Sequence, residues 1–247
     1  MDQERCGQGI KQIKGGSKMK RLAVILVIAM CFSISLCYAG QVEIVCVLDK
    51  SGSMQPVQED IVGSFNTFLA SQKKALEGAM FTLVLFDSDI KTTRGCIDDF
   101  DRLTPDQYQP EGSTALYDAL GETITDIENQ VTPETIVIFA IITDGEENSS
   151  NEYSSKEIKY LIQHFQKWHP WSFLFLAANQ DAFTESQKIG IQDGYWSNIS
   201  LTNEVDCSAA FDSVTDAVLT ITNGDTVDLT DDQISVNLDE YQTDITP

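Results

Sequence analysis

Three oxygen-bearing side chains follow an apolar segment at alternate positions, a spacing that suits the binding of a cation. The segment, residues 42–48, is apolar except for Glu43 and predicts a strand covered on both faces. Asp49, Ser51 and Ser53 come next, and in an open parallel sheet ligands bind beyond the carboxyl ends of the strands. A set of oxygen ligands suits a hard cation such as Mg²⁺. Because Asp and Ser also cap helices well, helix capping is the alternative interpretation of this turn.

Two further segments add side chains of the same kind. Thr114 stands where a helical pattern begins in residues 112–120, and Asp144 follows the apolar run 136–142. Asp49, Ser51, Ser53, Thr114 and Asp144 thus come from three loops, which are predicted to meet at one edge of the sheet. Oxygen ligands that converge from three loops favour a metal site over helix capping.

The order of these residues, Asp-x-Ser-x-Ser followed by Thr and then by Asp in an Asp-Gly turn, resembles a known motif. It is similar to the metal-ion-dependent adhesion site of von Willebrand factor A (VWA) domains, and the resemblance covers about residues 41–222. The resemblance implies a doubly wound, Rossmann-like α/β fold. Such a fold has a mostly parallel six-stranded sheet, one antiparallel edge strand and helices on both faces.

The resemblance also implies a role for each residue. Ser51 and Ser53 would bind the metal directly, and Thr114 would do so when a partner is bound. Asp49 and Asp144 would bind it directly or through water. The implied ion is Mg²⁺, with Mn²⁺ or Ca²⁺ as alternatives, and the remaining coordination position would take a carboxylate from a protein partner.

Strands and helices alternate along the same stretch of chain. Apolar runs at 42–48, 81–86, 136–142 and 173–177 predict buried strands, and apolar residues at helical spacing separate them. This alternation independently predicts βαβ units and a parallel sheet. Residues 91–94 are short, polar and basic, which is typical of a strand that protects a sheet edge.

Other residues near the predicted edge have two interpretations each. Residues 171–182 look similar to stand-alone bacterial and phage members of the VWA superfamily, which would place Asn179 and Asp181 near the site. The alternative is that these two residues cap a helix over 182–189. Residues 146–148 would either shape the rim of the site or lie in a solvated loop.

The N-terminal region predicts export rather than a part of the fold. Residues 19–39 combine a basic start, an apolar core and a small residue at the end, as a cleaved signal peptide does. An uncleaved membrane anchor is the alternative, although the apolar core is short for a span of about 20 residues. Residues 1–18 are interpreted as a mis-annotated leader, so that translation would start at Met19. The predicted location is secreted or periplasmic.

The chain is strongly acidic, with 38 Asp and Glu against 16 Lys and Arg and a net charge of −22. Residues 1–39 hold six of those bases and two of the acids, so their removal would leave ten bases and 36 acids, a net charge of −26. This excess repels phosphate backbones and anionic lipid, which disfavours nucleic acid and membrane as partners. Residues 223–247 add seven acids without a base and predict an acidic tail after a domain of residues 40–222.

Three cysteines remain in the predicted mature chain. Cys46 lies in an apolar strand and is interpreted as a core residue, whereas a bridge between Cys96 and Cys207 is one option outside the cytoplasm.

The sequence favours a secreted, metal-dependent protein-binding module, an adhesion or scaffold protein rather than an enzyme. Magnesium-dependent phosphoryl transfer is one alternative. A second acid two residues after Asp49 would serve it as the general acid, and Ser51 stands there instead. An acidic structural or calcium-binding protein is the other alternative.

Overall fold

The structure is a computed structural model that describes residues 41–144, 146–178 and 182–229. The predicted leader, the signal peptide, Asn179, Asp181 and the tail beyond Leu229 lie outside the described residues. Within those ranges, no helix is both long and apolar enough to cross a membrane.

A six-stranded sheet forms the centre of the fold, in the order β3-β2-β1-β4-β5-β6. All neighbouring strands run parallel except β2 and β3, which are antiparallel. The strands are β1 (Val42–Asp49), β2 (Met80–Phe86), β3 (Ile90–Cys96), β4 (Ile136–Thr143), β5 (Trp171–Ala178) and β6 (Trp196–Ile199). This topology confirms the predicted α/β fold with one antiparallel edge strand, and β3 contains the basic segment predicted for that edge.

Five α-helices cover the two faces of the sheet in the described part of the chain. Helices α1 and α5 pack on one face, and α2, α3 and α4 pack on the other. The helices are α1 (Gln58–Ala75), α2 (Leu116–Glu128), α3 (Ser155–Trp168), α4 (Ala182–Ile189) and α5 (Glu204–Thr222).

Strand β1 lies at the centre of the core and contributes to both layers. Ile44, Cys46 and Leu48 face α1 and α5, whereas Val45 and Val47 face the other helices. Every residue of β1 is buried, as expected for a central strand of a parallel sheet. Cys46 is therefore a core residue, as predicted, and burial raises the pKa of its thiol to about 12.

Glu43, the polar exception in β1, is compensated from the edge of the sheet. It is 1% exposed, and its carboxylate accepts a hydrogen bond from the Thr82 hydroxyl at 2.6 Å. Arg94 on β3 reaches the same carboxylate through two nitrogens, with Nη2 2.6 Å from Oε2 and Nε 3.0 Å from Oε1. The basic edge strand therefore neutralises a charge inside the sheet as well as facing solvent.

The cysteines of the described residues are all free, so the bridge considered between Cys96 and Cys207 is not formed. Cys96 pairs with Met80 at the start of β2, at the amino-terminal edge of the parallel strands. Cys207 is buried in the first turns of α5. One thiol therefore belongs to the edge strand β3 and the other to a helix.

The packed chain continues beyond the last helix. Leu229 is buried, and its amide donates to the carbonyl of Gly194 at 2.7 Å. Gly224, just after α5, lines a cavity with Ile136 and Pro170, which adjoin the starts of β4 and β5. Residues 223–229, the beginning of the predicted acidic tail, thus lie against the domain.

Two helical glycines give opposite predictions for substitution by alanine. A Cβ on Gly121 would lie 2.4 Å from the ring of Tyr153, so we expect Gly121→Ala to lower the free energy of unfolding by about 1–3 kcal/mol. Gly63 in α1 is exposed, and a Cβ added to it would have no neighbouring atom within 4 Å, so Gly63→Ala should raise that free energy by about 0.5–1 kcal/mol. Urea unfolding of both variants tests this. Equal changes in the free energy of unfolding would show that the Tyr153 ring can move aside without an energetic cost.

Candidate metal centre

Asp49 is the last residue of β1 and is fully buried at the carboxyl edge of the sheet. Its Oδ1 accepts a hydrogen bond from the Ser51 amide at 2.7 Å, and its Oδ2 accepts one from the Thr143 hydroxyl at 2.5 Å. Thr143 ends the neighbouring strand β4. The carboxylate is thus held in one orientation by the two central strands.

Two serine hydroxyls connect the turn after β1 to the turn after β4. The Oγ atoms of Ser51 and Ser53 lie 3.0 Å apart, and Ser53 Oγ donates to Asp144 Oδ1 at 2.7 Å. Ser51 precedes a short 3₁₀ helix, Gly52–Val57, but its side chain makes no capping hydrogen bond to that helix. The capping alternative therefore does not account for the Ser51 hydroxyl.

Thr114 is buried in a loop that contacts the turns after β1, β2 and β4. The Gly52 amide donates to the Gly112 carbonyl at 3.2 Å, and the Ala115 amide donates to the Asp87 carbonyl at 3.0 Å. On the third side, the Thr114 amide donates to Asn148 Oδ1 at 3.0 Å. The structure thus brings Thr114 to the sheet edge that carries the four other predicted ligands.

Gly112 permits this close approach of loops. It has φ +69°, and a Cβ there would lie 2.8 Å from the Ser88 hydroxyl oxygen. A side chain at this position would strain the backbone and push the Thr114 loop away from the turn after β2.

Lys50, inside the motif, is engaged elsewhere. Its ammonium group forms an ion pair with Asp87, and it donates to the Gln109 carbonyl at 3.2 Å. Among residues 41–144, 146–178 and 182–229, neither Asp49 nor Asp144 forms an ion pair with Lys or Arg. The two carboxylates of the site therefore have no basic side chain to balance them in this part of the chain.

The electrostatics at the site disfavour the ionised carboxylates. Burial raises the pKa of Asp49, and repulsion from Asp144 adds to the rise, while hydrogen bonds from Thr143 and Ser51 oppose it. Burial likewise raises the pKa of Asp144, against the hydrogen bond from Ser53. A divalent cation would remove this penalty, so the donor set fits such an ion.

The carboxylates are too few to form a conventional acidic metal cluster. Within the described ranges, no group of three or more His, Cys, Asp or Glu residues could hold a metal ion. The candidate site combines carboxylate and hydroxyl oxygens, which suit Mg²⁺, Mn²⁺ or Ca²⁺.

Several supporting residues were not identified from the sequence. Tyr108 is buried and donates its hydroxyl to the Asp49 carbonyl at 2.6 Å, and burial raises its pKa well above the ordinary value. Thr143 adjoins Asp144 in the sequence, which was the available signal for its role. Tyr108 lies in an irregular loop and gave no such signal.

The comparisons with known proteins identify the fold. No family model matches the chain, and no curated protein matches it. Among solved structures, proximal thread matrix protein 1 (PTMP1) from the mussel byssus is 18% identical with a TM-score of 0.55, covering 72% of this chain and 48% of that one. The chain therefore spans about half the length of PTMP1.

Two bacterial structures are also similar. The D319A mutant of the PilB minor pilin from Streptococcus sanguinis is 11% identical with a TM-score of 0.54, covering 75% of this chain and 64% of that one. The vWF domain of the type V pili tip protein Mfa5 from Porphyromonas gingivalis is 13% identical with a TM-score of 0.51, covering 76% and 97%. At these identities the likeness shows the fold alone, and that fold is the α/β fold of a von Willebrand factor A domain.

Proposed function

We propose that the chain is a metal-dependent protein-binding module that acts outside the cytoplasm. Asp49, Ser51, Ser53, Thr114 and Asp144 would hold a divalent cation, Mg²⁺ or alternatively Mn²⁺ or Ca²⁺. When bound, the ion would supply positive charge and a coordination position for an acidic side chain of a protein partner. The observation that carries this proposal is the Ser51–Ser53–Asp144 chain of hydrogen bonds beside the buried Asp49 carboxylate.

Charge supports an acidic group as the partner's contribution. Only Asp49 and Asp144 among the five candidate ligands carry charge, so at most they balance a divalent ion and leave no surplus negative charge at the site. A carboxylate of the partner would therefore not be repelled there and could fill an open position of the coordination shell as a hard oxygen ligand. Elsewhere the chain, with its net charge of −22, would repel an acidic partner. The metal would therefore select both the position and the orientation of the contact.

The geometry gives less support to phosphoryl transfer. An aspartyl mechanism would have its general acid two residues after Asp49, where Ser51 stands, and it would need a substrate phosphorus to reach the Asp49 carboxylate, which is fully buried. We therefore propose a binding protein rather than an enzyme.

The proposed location rests on the predicted signal peptide at residues 19–39. Two of the similar structures, those of PilB and Mfa5, are pilus proteins, and PTMP1 comes from the mussel byssus. These origins agree with a secreted or periplasmic role in adhesion.

Capture of a partner tests the proposal. The exported protein, immobilised and incubated with secreted or periplasmic extract, should retain a partner in Mg²⁺ and lose it in EDTA, with recovery when Mg²⁺ is restored. Thr114→Ala should abolish capture, whereas Ser113→Ala, which removes a hydroxyl from an exposed neighbour, should leave it unchanged. Capture that survives both EDTA and Thr114→Ala would exclude the metal-dependent mechanism.

A further inference from the structure

The loop of residues 146–154 returns from the carboxyl edge of β4 to the first turn of α2, where the carboxylate of Glu147 binds both segments. Glu147 Oε2 accepts hydrogen bonds from the Tyr117 amide at 3.0 Å and from the Ser150 hydroxyl at 2.7 Å. Its Oε1 accepts from the amides of Ser149 and Ser150 at 2.9 and 2.8 Å. One side chain thus holds α2 and its own loop together.

Asp118 also connects α2 to this loop, but here the carboxylate is on the helix and the donors are in the loop. Its Oδ1 accepts from the amides of Glu152 and Tyr153 at 2.9 and 2.7 Å, and its Oδ2 accepts from the Asn151 amide at 2.7 Å. Its own amide donates to the Ser150 hydroxyl at 3.1 Å. Ser150 Oγ therefore links the Glu147 carboxylate to the backbone of α2, since it donates to that carboxylate and accepts from the Asp118 amide.

Asn148 connects this arrangement directly to a predicted metal ligand. The Thr114 amide donates to Asn148 Oδ1, and the Asn148 amide donates to the Thr114 carbonyl, both at 3.0 Å. Glu147 precedes Asn148, and Asp144 lies three residues before Glu147. The loop therefore couples the backbone of Thr114 to the turn that carries Asp144.

We infer that Glu147 is a positioning residue that fixes Thr114 relative to Asp144 and so sets the affinity of the site for a divalent ion. This inference rests on the proposed function. Thr114 and Asp144 lie in irregular segments, so no strand ladder or helix sets the distance between their side chains. Hydrogen bonds to a carboxylate are about twice as strong as neutral ones, so the four that Glu147 accepts hold its own loop, which carries Asn148, firmly against the first turn of α2. The negative charge of Glu147 also interacts favourably with the positive end of the helix dipole at the N-terminus of α2.

Glu147→Gln tests the inference with little change in shape. The amide keeps one acceptor oxygen but directs an NH₂ group at backbone N–H donors. We expect the purified full chain to bind Mn²⁺ about 10–100-fold more weakly by titration calorimetry, the usual effect of losing a supporting residue. In the metal-free protein, amide hydrogen exchange should accelerate at residues 114–118 and 149–153.

Two controls separate positioning from loss of charge. Glu146→Gln removes the same charge from an exposed neighbour and should change Mn²⁺ affinity less than threefold without altering amide exchange. Ser150→Ala should weaken Mn²⁺ binding in the same direction as Glu147→Gln. Ser149→Ala should not, because in the described part of the chain the buried Ser149 hydroxyl has no hydrogen-bond partner.

The outcomes distinguish this inference from the proposed function. If wild type binds Mn²⁺, Asp144→Asn does not, and Glu147→Gln binds as tightly as wild type, the inference is wrong and the metal site stands. Weaker binding with unchanged amide exchange, or equal losses in Glu146→Gln and Glu147→Gln, would also overturn positioning. If wild type binds no Mn²⁺, Mg²⁺ or Ca²⁺, both fail. Should Glu147→Gln not fold, the Ser149 and Ser150 variants decide.

Discussion

Asp144→Asn is expected to abolish metal binding and, at the same time, to make the metal-free protein more stable at pH 7. Asp144 would supply a carboxylate ligand and accepts the Ser53 hydroxyl at 2.7 Å. Its loss should weaken Mn²⁺ binding by at least about 100-fold, since ligands matter at least as much as the residues that support them. The neutral amide retains an oxygen that can accept the Ser53 hydroxyl.

The gain in stability follows from the direction of the pKa shifts. Burial raises the pKa of Asp144 in the folded protein above its ordinary value of 3.8, and Asp144 raises the pKa of Asp49 by repulsion. A carboxyl group with a raised pKa favours the fold when protonated, and that contribution is lost as the pH rises through the folded-state pKa. At pH 7 the ionised group therefore destabilises the metal-free fold, and Asn removes this effect.

The pH dependence provides the check. Urea unfolding in EDTA should show a higher free energy of unfolding for Asp144→Asn than for wild type at pH 7, and the difference should shrink below pH 3.8. Saturating Mn²⁺ should stabilise wild type but not Asp144→Asn. Asp89→Asn, which removes an exposed carboxylate from the turn after β2, should change neither property. A metal-free Asp144→Asn that is less stable than wild type at pH 7 would contradict the electrostatic account.

Arg94→Met should lower the free energy of unfolding by about 3–5 kcal/mol, the cost of leaving one partner of a buried ion pair uncompensated. Glu43 is 1% exposed in the central strand, where it cannot turn towards solvent. Arg94 contributes charge and hydrogen bonds to both carboxylate oxygens, and the Thr82 hydroxyl alone cannot replace them.

The double variant Glu43→Leu with Arg94→Leu separates the value of the pair from the cost of breaking it. Replacing both charges by apolar side chains is often neutral or stabilising by about 1–4 kcal/mol, so we expect it to recover most of the loss. Arg102→Ala, at an exposed arginine, should change the free energy of unfolding by less than about 0.5 kcal/mol. A double variant as unstable as Arg94→Met would show that packing, rather than charge, is lost.

The fold was predictable because its signals are local. Apolar runs such as residues 136–142 are long enough to predict buried strands, and their alternation with helical periods predicts a parallel sheet. The short strand β6, Trp196–Ile199, was not predicted, since its four residues contain Ser and Asn and lack an apolar run. The role of Arg94 was also missed, because it depends on the pairing of β1 with β2 and of β2 with β3.

The candidate ligands could also be predicted from local signals, whereas the residues that hold them in place could not. Asp49, Ser51 and Ser53 are close in sequence, the start of a helical pattern indicated Thr114, and the end of a strand indicated Asp144. By contrast, the Glu147 side chain binds mainly backbone amides. Because nearly every residue has an amide, the sequence carries no signal for these contacts, and Glu147 was interpreted as a residue of the rim or of a solvated loop. The roles of Asn179 and Asp181, the signal peptide and the leader stay predictions.

The positions of the first and last residues that the structure describes have a consequence for how this domain is presented. Gln41 accepts the Ile136 amide at 2.7 Å, at the amino-terminal edge of the sheet, and Gly224 lies at the same edge before the chain reaches Leu229. The candidate ligands occupy the opposite edge. A tether, a surface or an affinity tag joined near either of these points would therefore leave the edge with the candidate ligands facing outward.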